Sequence, residues 1–302
     1  MCDEVFSASK ELYISYIKYY ITNKYISQSN KKNTCRFFPQ RQWEVDNFFR
    51  LLYNKRMQPY EHIRTFDVGF CDVDFKDELK PSAALALFEE VACSSAEELG
   101  FGYSFCKPLG YAFMVSEIRV EFLRAVRLGE KICLKTWPTP PSYVVFGREY
   151  RIEDAFGETI ANATSRWCMA DIKSGKILSS KLLPGQDYST YNTSRALVAD
   201  GKIARFQESE GRLAFSMTVA NAEYDHNMHV NNTRYADYCF NCFSVAELSE
   251  RKLKGFALSY VKQCHEGEVL RFYRKDEAEK TLVCGFNGAG ETVVRAEIVF
   301  TD

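Results

Sequence analysis

The sequence predicts an α+β protein made of two copies of one unit, each a long helix laid across an antiparallel sheet. Three observations lead there. The chain has 302 residues, of which 46% are hydrophobic and 26% charged, enough to bury a sizeable core. Each half reads strand, polar turn, long helix and then about four strands, and that shared order marks an internal duplication. An apolar helix followed by antiparallel strands buries itself only by lying across their sheet. Two such units joined side by side form one sheet from two, with both helices on one face and an apolar tunnel beside them.

Residues 1–56 stand apart from this pattern. They are rich in Tyr, Ile, Lys and Asn, as from Ile14 to Ile26. Of the chain's 39 basic and 40 acidic residues, 10 and 5 lie here, a balance of +5; the remaining 29 and 35 leave residues 57–302 at −6. Bulk charge thus gives the main body no footprint for nucleic acid. The segment lacks the Arg/Ser bias of an organelle transit peptide. We expect residues 1–56 to be an extension outside the fold, with Met57 as the true start.

The N-terminal domain is expected over 57–182. Alternation through Ile63, Phe66, Val68 and Phe70 predicts a strand. Pro81 opens a helix to about Leu99, carrying Leu85, Leu87, Phe88, Val91 and Ala92, apolar round more than half its circumference and so expected to be buried on most sides. Gly100 ends it. Strands follow at Tyr111 to Phe122, Lys131 to Trp137, Tyr143 to Glu153 and Thr159 to Ala170. Residues 183–211, broken by Pro, Gly, Ser and Asn, form the linker. The C-terminal domain, 212–302, repeats the order: a strand at Arg212 to Val219, a helix from about Asn231 to Leu248, a strand at Ala257 to Gln263 and another from Gly267-Glu268. Strands at Lys280 to Phe286 and Thr292 to Phe300 close it. The signposts Gly129-Glu130 and Gly157-Glu158-Thr159 recur as Gly267-Glu268 and Gly290-Glu291-Thr292.

The 11 cysteines are scattered through apolar runs, as at Cys93, Cys133 and Cys168, which fits reduced thiols in the cytoplasm. Cys239 and Cys242 form one C-x-x-C inside a helix pattern, without the second ligand pair a zinc site needs, so packing is expected. No apolar run approaches the roughly 20 residues that span a bilayer, so stable membrane insertion is not expected.

The chemistry concentrates in Tyr224 to Tyr235, with Asp225, His226, Asn227, His229, Asn231 and Asn232. A dense polar cluster at the mouth of a helix is costly to bury unless its groups are paired or used. A helix start offers unpaired N–H groups and a positive dipole end. Both suit a reaction that builds negative charge on a carbonyl oxygen.

With these residues in view, the chain resembles the acyl-acyl-carrier-protein (acyl-ACP) thioesterases, tandem (double) hot-dog enzymes, in their bacterial form. The D-x-N-x-H-V-N-N core is present at Asp225, Asn227, His229, Val230, Asn231 and Asn232. The first half has D-x-D-x-x-x-x-L-K-P-S, Asp72 to Ser82, at the matching turn. Ser165 to Asp171 is similar to the family's tryptophan-containing strand, and Tyr260 to Cys264 to its last active-site strand. The resemblance spans roughly residues 60–300. It implies hydrolysis of fatty acyl-ACP to a free fatty acid, ending fatty acid synthesis, with no metal or organic cofactor. The implied partner is acyl carrier protein with its phosphopantetheine-linked acyl chain. Arg119, Arg124, Arg127, Lys131, Lys173, Lys176 and Lys181 are candidates to greet that acidic partner. Monomer and homodimer both remain open.

The resemblance assigns Asp225, Asn227 and His229 to the active site. In an extended segment their i, i+2, i+4 spacing places them on one face, which turns His226 away. The backbone amides near Val230 and Asn231 would meet the thioester oxygen. His229 suits an oxyanion donor or a base, Asp225 a base or a partner for His229, and Asn227 a holder of water or carbonyl. Where the family commonly has glutamate this chain has Gln263, which cannot take a proton, so Asp225 is the preferred base. Cys264 beside it reads first as core and second as a nucleophile. The first-half turn, with Asp72, Asp74 and Asp77 but no His–Asn partner, is expected to be catalytically silent. Phe88, Phe113, Met114 and Trp167 are candidate walls of the acyl pocket. The competing readings are an acyl-CoA thioesterase and a non-catalytic acyl-binding protein.

Overall fold

The computed structural model describes residues 59–183, 188, 191–198, 201–225 and 228–301, so the expectation for 1–56 lies outside the described residues. Six strands come first: β1 (His62–Asp67), β2 (Tyr111–Phe122), β3 (Lys131–Pro138), β4 (Phe146–Glu153), β5 (Thr159–Asp171) and the short β6 (Ile177–Leu178). Five follow: β7 (Arg212–Thr218), β8 (Lys252–Tyr260), β9 (Val269–Asp276), β10 (Thr281–Phe286) and β11 (Thr292–Thr301). The α-helices among the described residues are α1 (Pro81–Glu98), α2 (Tyr103–Leu109), α3 (Arg234–Phe240) and α4 (Val245–Ser249).

All strands join one antiparallel sheet in the order β1-β3-β4-β5-β2-β8-β11-β10-β9-β7, with β6 on β5. From either edge inward the order is the same. β1, β3, β4, β5 and β2 of the first half answer to β7, β9, β10, β11 and β8 of the second. The duplication expected from the sequence is therefore present in the strand order, and the tandem hot-dog architecture with it. The seam is β2 against β8, from Glu117 opposite Ser259 to Glu121 opposite Gly255. Gly255 is fixed by that approach, since a Cβ there would lie 2.6 Å from the Val120 carbonyl oxygen.

The core lies between the sheet and the helices and runs through both halves. Ile118, Val120, Phe256 and Leu258 alternate across the seam and are buried with Phe88, Val91, Tyr235 and Cys239. Burial of this continuous apolar face supplies the main driving force for the fold. Residues 191–198 and 201–206 lie against the opposite face. Trp137 Nε1 donates to the Ser194 carbonyl at 3.0 Å, the buried Glu149 accepts from the Ala196 amide at 3.0 Å, and Glu297 accepts from the Ala204 amide at 2.8 Å.

Several elements differ from expectation. α1 fully buries Ala84, Leu85, Phe88, Val91, Ala92 and Ser95; Ala83, Leu87 and Ala96 are half-buried against the core, and Ala86, Glu90 and Cys93 are exposed, so one side of the helix stays open. The single helix expected from Asn231 to Leu248 is two short ones. Ser244 and Glu247 form a reciprocal capping box, with Glu247 N donating to Ser244 Oγ at 3.2 Å and Ser244 N to Glu247 Oε2 at 2.8 Å. A helix start inside the run divides it. Only the first half therefore has a long central helix. β8 stops at Tyr260, short of the expected Gln263, because the Val261 and Lys262 amides both turn to the Val293 carbonyl, at 2.9 and 3.2 Å. The helix α2, with Pro108 inside it, is not predicted by the sequence pattern.

Candidate active site

The loop between β7 and α3 is held at its neck. Tyr224 and Val230 form an antiparallel bridge: the Asp225 amide donates to the His229 carbonyl and the Asn231 amide to the Glu223 carbonyl, both at 2.8 Å. The Met228 amide turns back to the Asp225 carbonyl at 3.1 Å, and Met228 takes a left-handed φ of 61°. That conformation is uncommon for a residue with a side chain and is found where surrounding bonds enforce it. The His229 amide also donates to Asp225 Oδ1 at 3.3 Å. The extended run expected from Asp225 to His229 is thus closed at its two ends, which pair with each other rather than with a neighbouring strand. Asp225 and His229 meet across its neck. Asn227 and His226 lie outside the described residues.

The helix begins later than expected, and this changes its amides. Asn231 is spent on structure: its amide goes to Glu223, and its Oδ1 accepts from Thr233 N at 2.8 Å and Thr233 Oγ1 at 2.7 Å. The expectation that the Asn231 amide meets a thioester oxygen is corrected by that arrangement. The Val230 and Asn232 N–H groups have no partner among the described residues. The side chain of Val230 is buried in the core. Glu223, which belongs to no motif in the sequence, anchors the loop to α3: its carboxylate accepts from Arg234 Nε at 3.0 Å and from the Tyr238 hydroxyl. Burial, then this bond, pushes the Tyr238 hydroxyl well above the usual tyrosine range. An acid followed eleven residues later by an Arg in the next helix was the only signal available.

A second loop, 261–268, follows β8 and is tied to the first. Tyr224 Oη accepts from the Glu266 amide at 2.6 Å, Tyr260 Oη donates to the Asn232 carbonyl at 3.2 Å, and the Val219 amide donates to the Glu268 carbonyl at 2.9 Å. Gln263 is exposed on this loop and Cys264 is fully buried. Burial pushes the Cys264 thiol up, although a hydrogen bond with Tyr235 opposes the shift. A protonated, enclosed thiol is a packing residue rather than a nucleophile. Cys239 and Cys242 are also buried, with thiols pushed up by desolvation, as their packing role requires.

In the first half, the turn before α1 is closed on itself. Asp72 Oδ2 accepts from the Gly69 amide at 2.8 Å, and Asp74 Oδ1 from the Lys76 and Glu78 amides at 2.8 and 3.2 Å. Its carboxylates hold the turn. Of the expected pocket walls, Phe88 is buried against Tyr150 at 4.8 Å, Phe113 lies edge-on to Phe146 at 5.1 Å, and Trp167 donates to Ser165 at 2.7 Å. Met114 is 37% exposed. Between α1 and β4 lies a buried cation, Arg148, donating to Ser95 and Thr136 at 2.9 and 3.2 Å. Desolvation lowers its pKa from the usual arginine value.

Of the seven candidate basic residues, four are engaged: Arg119 with Glu117, Arg124 with Glu130 and Asp154, Arg127 with Glu78, and Lys131 with Asp67. Lys173, Lys176 and Lys181 follow the end of β5, whose last residues pair with the start of β2. β2 begins beyond the last residue of β8 that it pairs, Ser259. The three lysines therefore stand toward the end of the sheet from which the 261–268 loop emerges. No helix among the described residues is long and apolar enough to cross a membrane.

Two family models match the chain: acyl-ACP thioesterase N-terminal domain over residues 59–180 and acyl-ACP thioesterase C-terminal domain over 207–302. Among curated proteins, the chain is 20% identical over 217 residues to the chloroplast oleoyl-acyl carrier protein thioesterase 2 of Arabidopsis thaliana, covering 67% of this chain and 59% of that protein. It is 24% identical over 219 residues to a chloroplast acyl-[acyl-carrier-protein] hydrolase of Cuphea viscosissima, covering 69% and 52%. The chain thus spans between half and three fifths of the length of these relatives. Among solved structures, it aligns with an acyl-ACP thioesterase from Bacteroides thetaiotaomicron at a TM-score of 0.73 and 20% identity, covering 80% of this chain and 98% of that one. A 12:0-ACP thioesterase from Umbellularia californica aligns at 0.72 and 18%, covering 80% and 97%. At these identities the structural likeness concerns the fold.

Proposed function

The chain belongs to the acyl-ACP thioesterase family, and from that premise we propose that it hydrolyses fatty acyl-ACP to a free fatty acid. In this reading residues 57–182 shape the acyl pocket, 183–211 join the halves, and 212–302 carry the chemistry. The observation that supports it best is the closed neck of the 225–229 loop, which keeps Asp225 beside His229 next to the Gln263 loop.

Water attacks the thioester carbonyl carbon while Asp225 takes its proton. A positioned base of this kind contributes about 10² to 10⁴ in rate. The oxygen that gains charge is met by the Val230 N–H and His229, fixed donors aimed at developing charge. Asn227 orients the water or the carbonyl. Collapse of the tetrahedral intermediate expels the phosphopantetheine thiolate, which takes up a proton, and leaves the fatty acid. Gln263 donates and accepts hydrogen bonds near the water without changing protonation state. Cys264 packs beneath.

Lys173, Lys176 and Lys181 form the patch that receives the acidic carrier protein. Opposite charge across such a surface raises the rate of encounter and falls off with salt. The free state of all nine described cysteines fits a reducing, cytoplasmic setting. The experiment is release of free fatty acid by the full chain from acyl-ACP and acyl-CoA of matched chain length. Faster turnover on the carrier form is expected. Turnover on CoA alone would change the partner, and acyl binding without turnover on either would replace the enzyme with a binding protein.

A further inference from the structure

The internal duplication gives the molecule a second place equivalent to the candidate active site. The 219–233 loop lies between β7 and α3; its counterpart, residues 68–80, lies between β1 and α1. Against that counterpart opens a cavity of about 490 Å³, closed on its other side by the start of β8, the end of β11, and residues of α3 and α4. It stands apart from the 261–268 loop: six residue steps along β8 separate Lys254 from Tyr260, roughly 20 Å at the usual strand rise. The volume is that of a small-molecule pocket.

Two features of its lining define a ligand. The floor is apolar, with Leu79, Phe122, Leu248, Leu253 and Phe300. The lining also carries five cationic side chains against three acidic ones, in a body whose net charge is −6. Most of these charges are already committed: Glu78 pairs with Lys76 and Arg127, Arg124 with Glu130 and Asp154, and Asp74 holds the turn amides, which leaves Lys252 and Lys254 against Glu121. Lys252 and Lys254 are exposed and have no ion-pair partner among the described residues. Two available ammonium groups beside an apolar floor complement one anionic head on one aliphatic tail. The turn that faces them has no histidine and uses its carboxylates as structural acceptors, so the place is equipped to hold a chain and not to cut one.

We propose that this cavity is a second, non-catalytic site for a long-chain carboxylate, with the tail on the Leu253–Phe300 floor and the carboxylate at Lys252 and Lys254. The site does not depend on hydrolysis elsewhere. A chain that binds fatty acid here without turning over acyl-ACP would retain it and lose the function proposed above.

Binding of a radiolabelled saturated fatty acid to the full chain by equilibrium dialysis tests this. The paired substitution Lys252→Glu and Lys254→Glu changes only exposed positions and should weaken binding about tenfold or more. Acyl-ACP turnover measured at zero added fatty acid should stay unchanged in that variant. Leu253→Trp, which fills the floor, should remove the same component of binding that the double variant weakens, with circular dichroism checking that it folds. The matching fatty alcohol should bind at least tenfold more weakly than the acid. Unchanged affinity in the double variant, no binding to the full chain, or equal affinity for the alcohol would each overturn the proposal.

Discussion

The Tyr224 hydroxyl accepts a hydrogen bond from the Glu266 backbone amide at 2.6 Å. One side chain thus couples the loop of Asp225 and His229 to the loop of Gln263. Both loops lie outside the regular strands; backbone bonds of Val219 with Gly267 and Glu268 tie their bases, and the Tyr224 bond ties them further out. Tyr224→Phe removes the acceptor and leaves the amide unpaired, at a cost of about 1–2 kcal/mol. Thioesterase kcat should fall about tenfold, because small misplacements of reacting groups are expensive. Steady-state kinetics beside thermal unfolding separates the two effects; unchanged kcat would show that the loops are positioned by other contacts.

Cys264 separates two mechanisms. Its thiol is buried and pushed up, so Cys264→Ala should leave kcat within about threefold of the parent, far from the loss expected on removing a nucleophile. Mass spectrometry of rapidly quenched enzyme should find no acyl adduct on this residue. An adduct there, or a thousandfold loss, would restore covalent catalysis.

The seam between the halves is sensitive at one glycine. Gly255→Val would drive a side chain toward the Val120 carbonyl, 2.6 Å from a Cβ at that position. Forced separation of β2 from β8 should cost about 1–3 kcal/mol, read as a lower midpoint in urea. Full retention of stability would mean that the seam is more compliant than its register implies.

The fold was legible where a pattern was local. The Tyr111 to Phe122 strand appears with the expected bounds, because alternation over twelve residues leaves one face to bury. The helix break at Ser244 was written in the sequence as S-V-A-E, a capping box, but the apolar positions on either side concealed it. The site was legible as residues and not as shape. D-x-N-x-H reads as an extended run, whereas pairing across Tyr224 and Val230 closes it into a loop with Met228 at positive φ. No local signal distinguishes those outcomes, since the closing bonds are made by backbone groups that every residue carries. The burial of Cys264 beside the exposed Gln263 depends likewise on where β8 stops.

Glu247 provides a pH test. Hydrogen bonding by the Ser244 amide, aided by Arg274, lowers its pKa to about 2 against a burial effect in the other direction. A carboxylate depressed in the folded state contributes stability above its unfolded value of about 4.5, and loses it as pH falls through about 2. The parent should therefore lose stability over that window, and Glu247→Gln should show a flatter profile there and a lower melting temperature near pH 7. Parallel profiles would contradict the assignment.

The most direct measurement is the single-turnover rate of fatty acid release from acyl-ACP by Asp225→Asn against the parent chain. The substitution keeps the shape of the side chain and removes its ability to take a proton. The account predicts a fall of at least about a hundredfold, with unchanged binding of acyl-ACP and an unchanged melting curve. A rate within a few fold of the parent would show that proton transfer lies elsewhere and that Asp225 serves the loop alone.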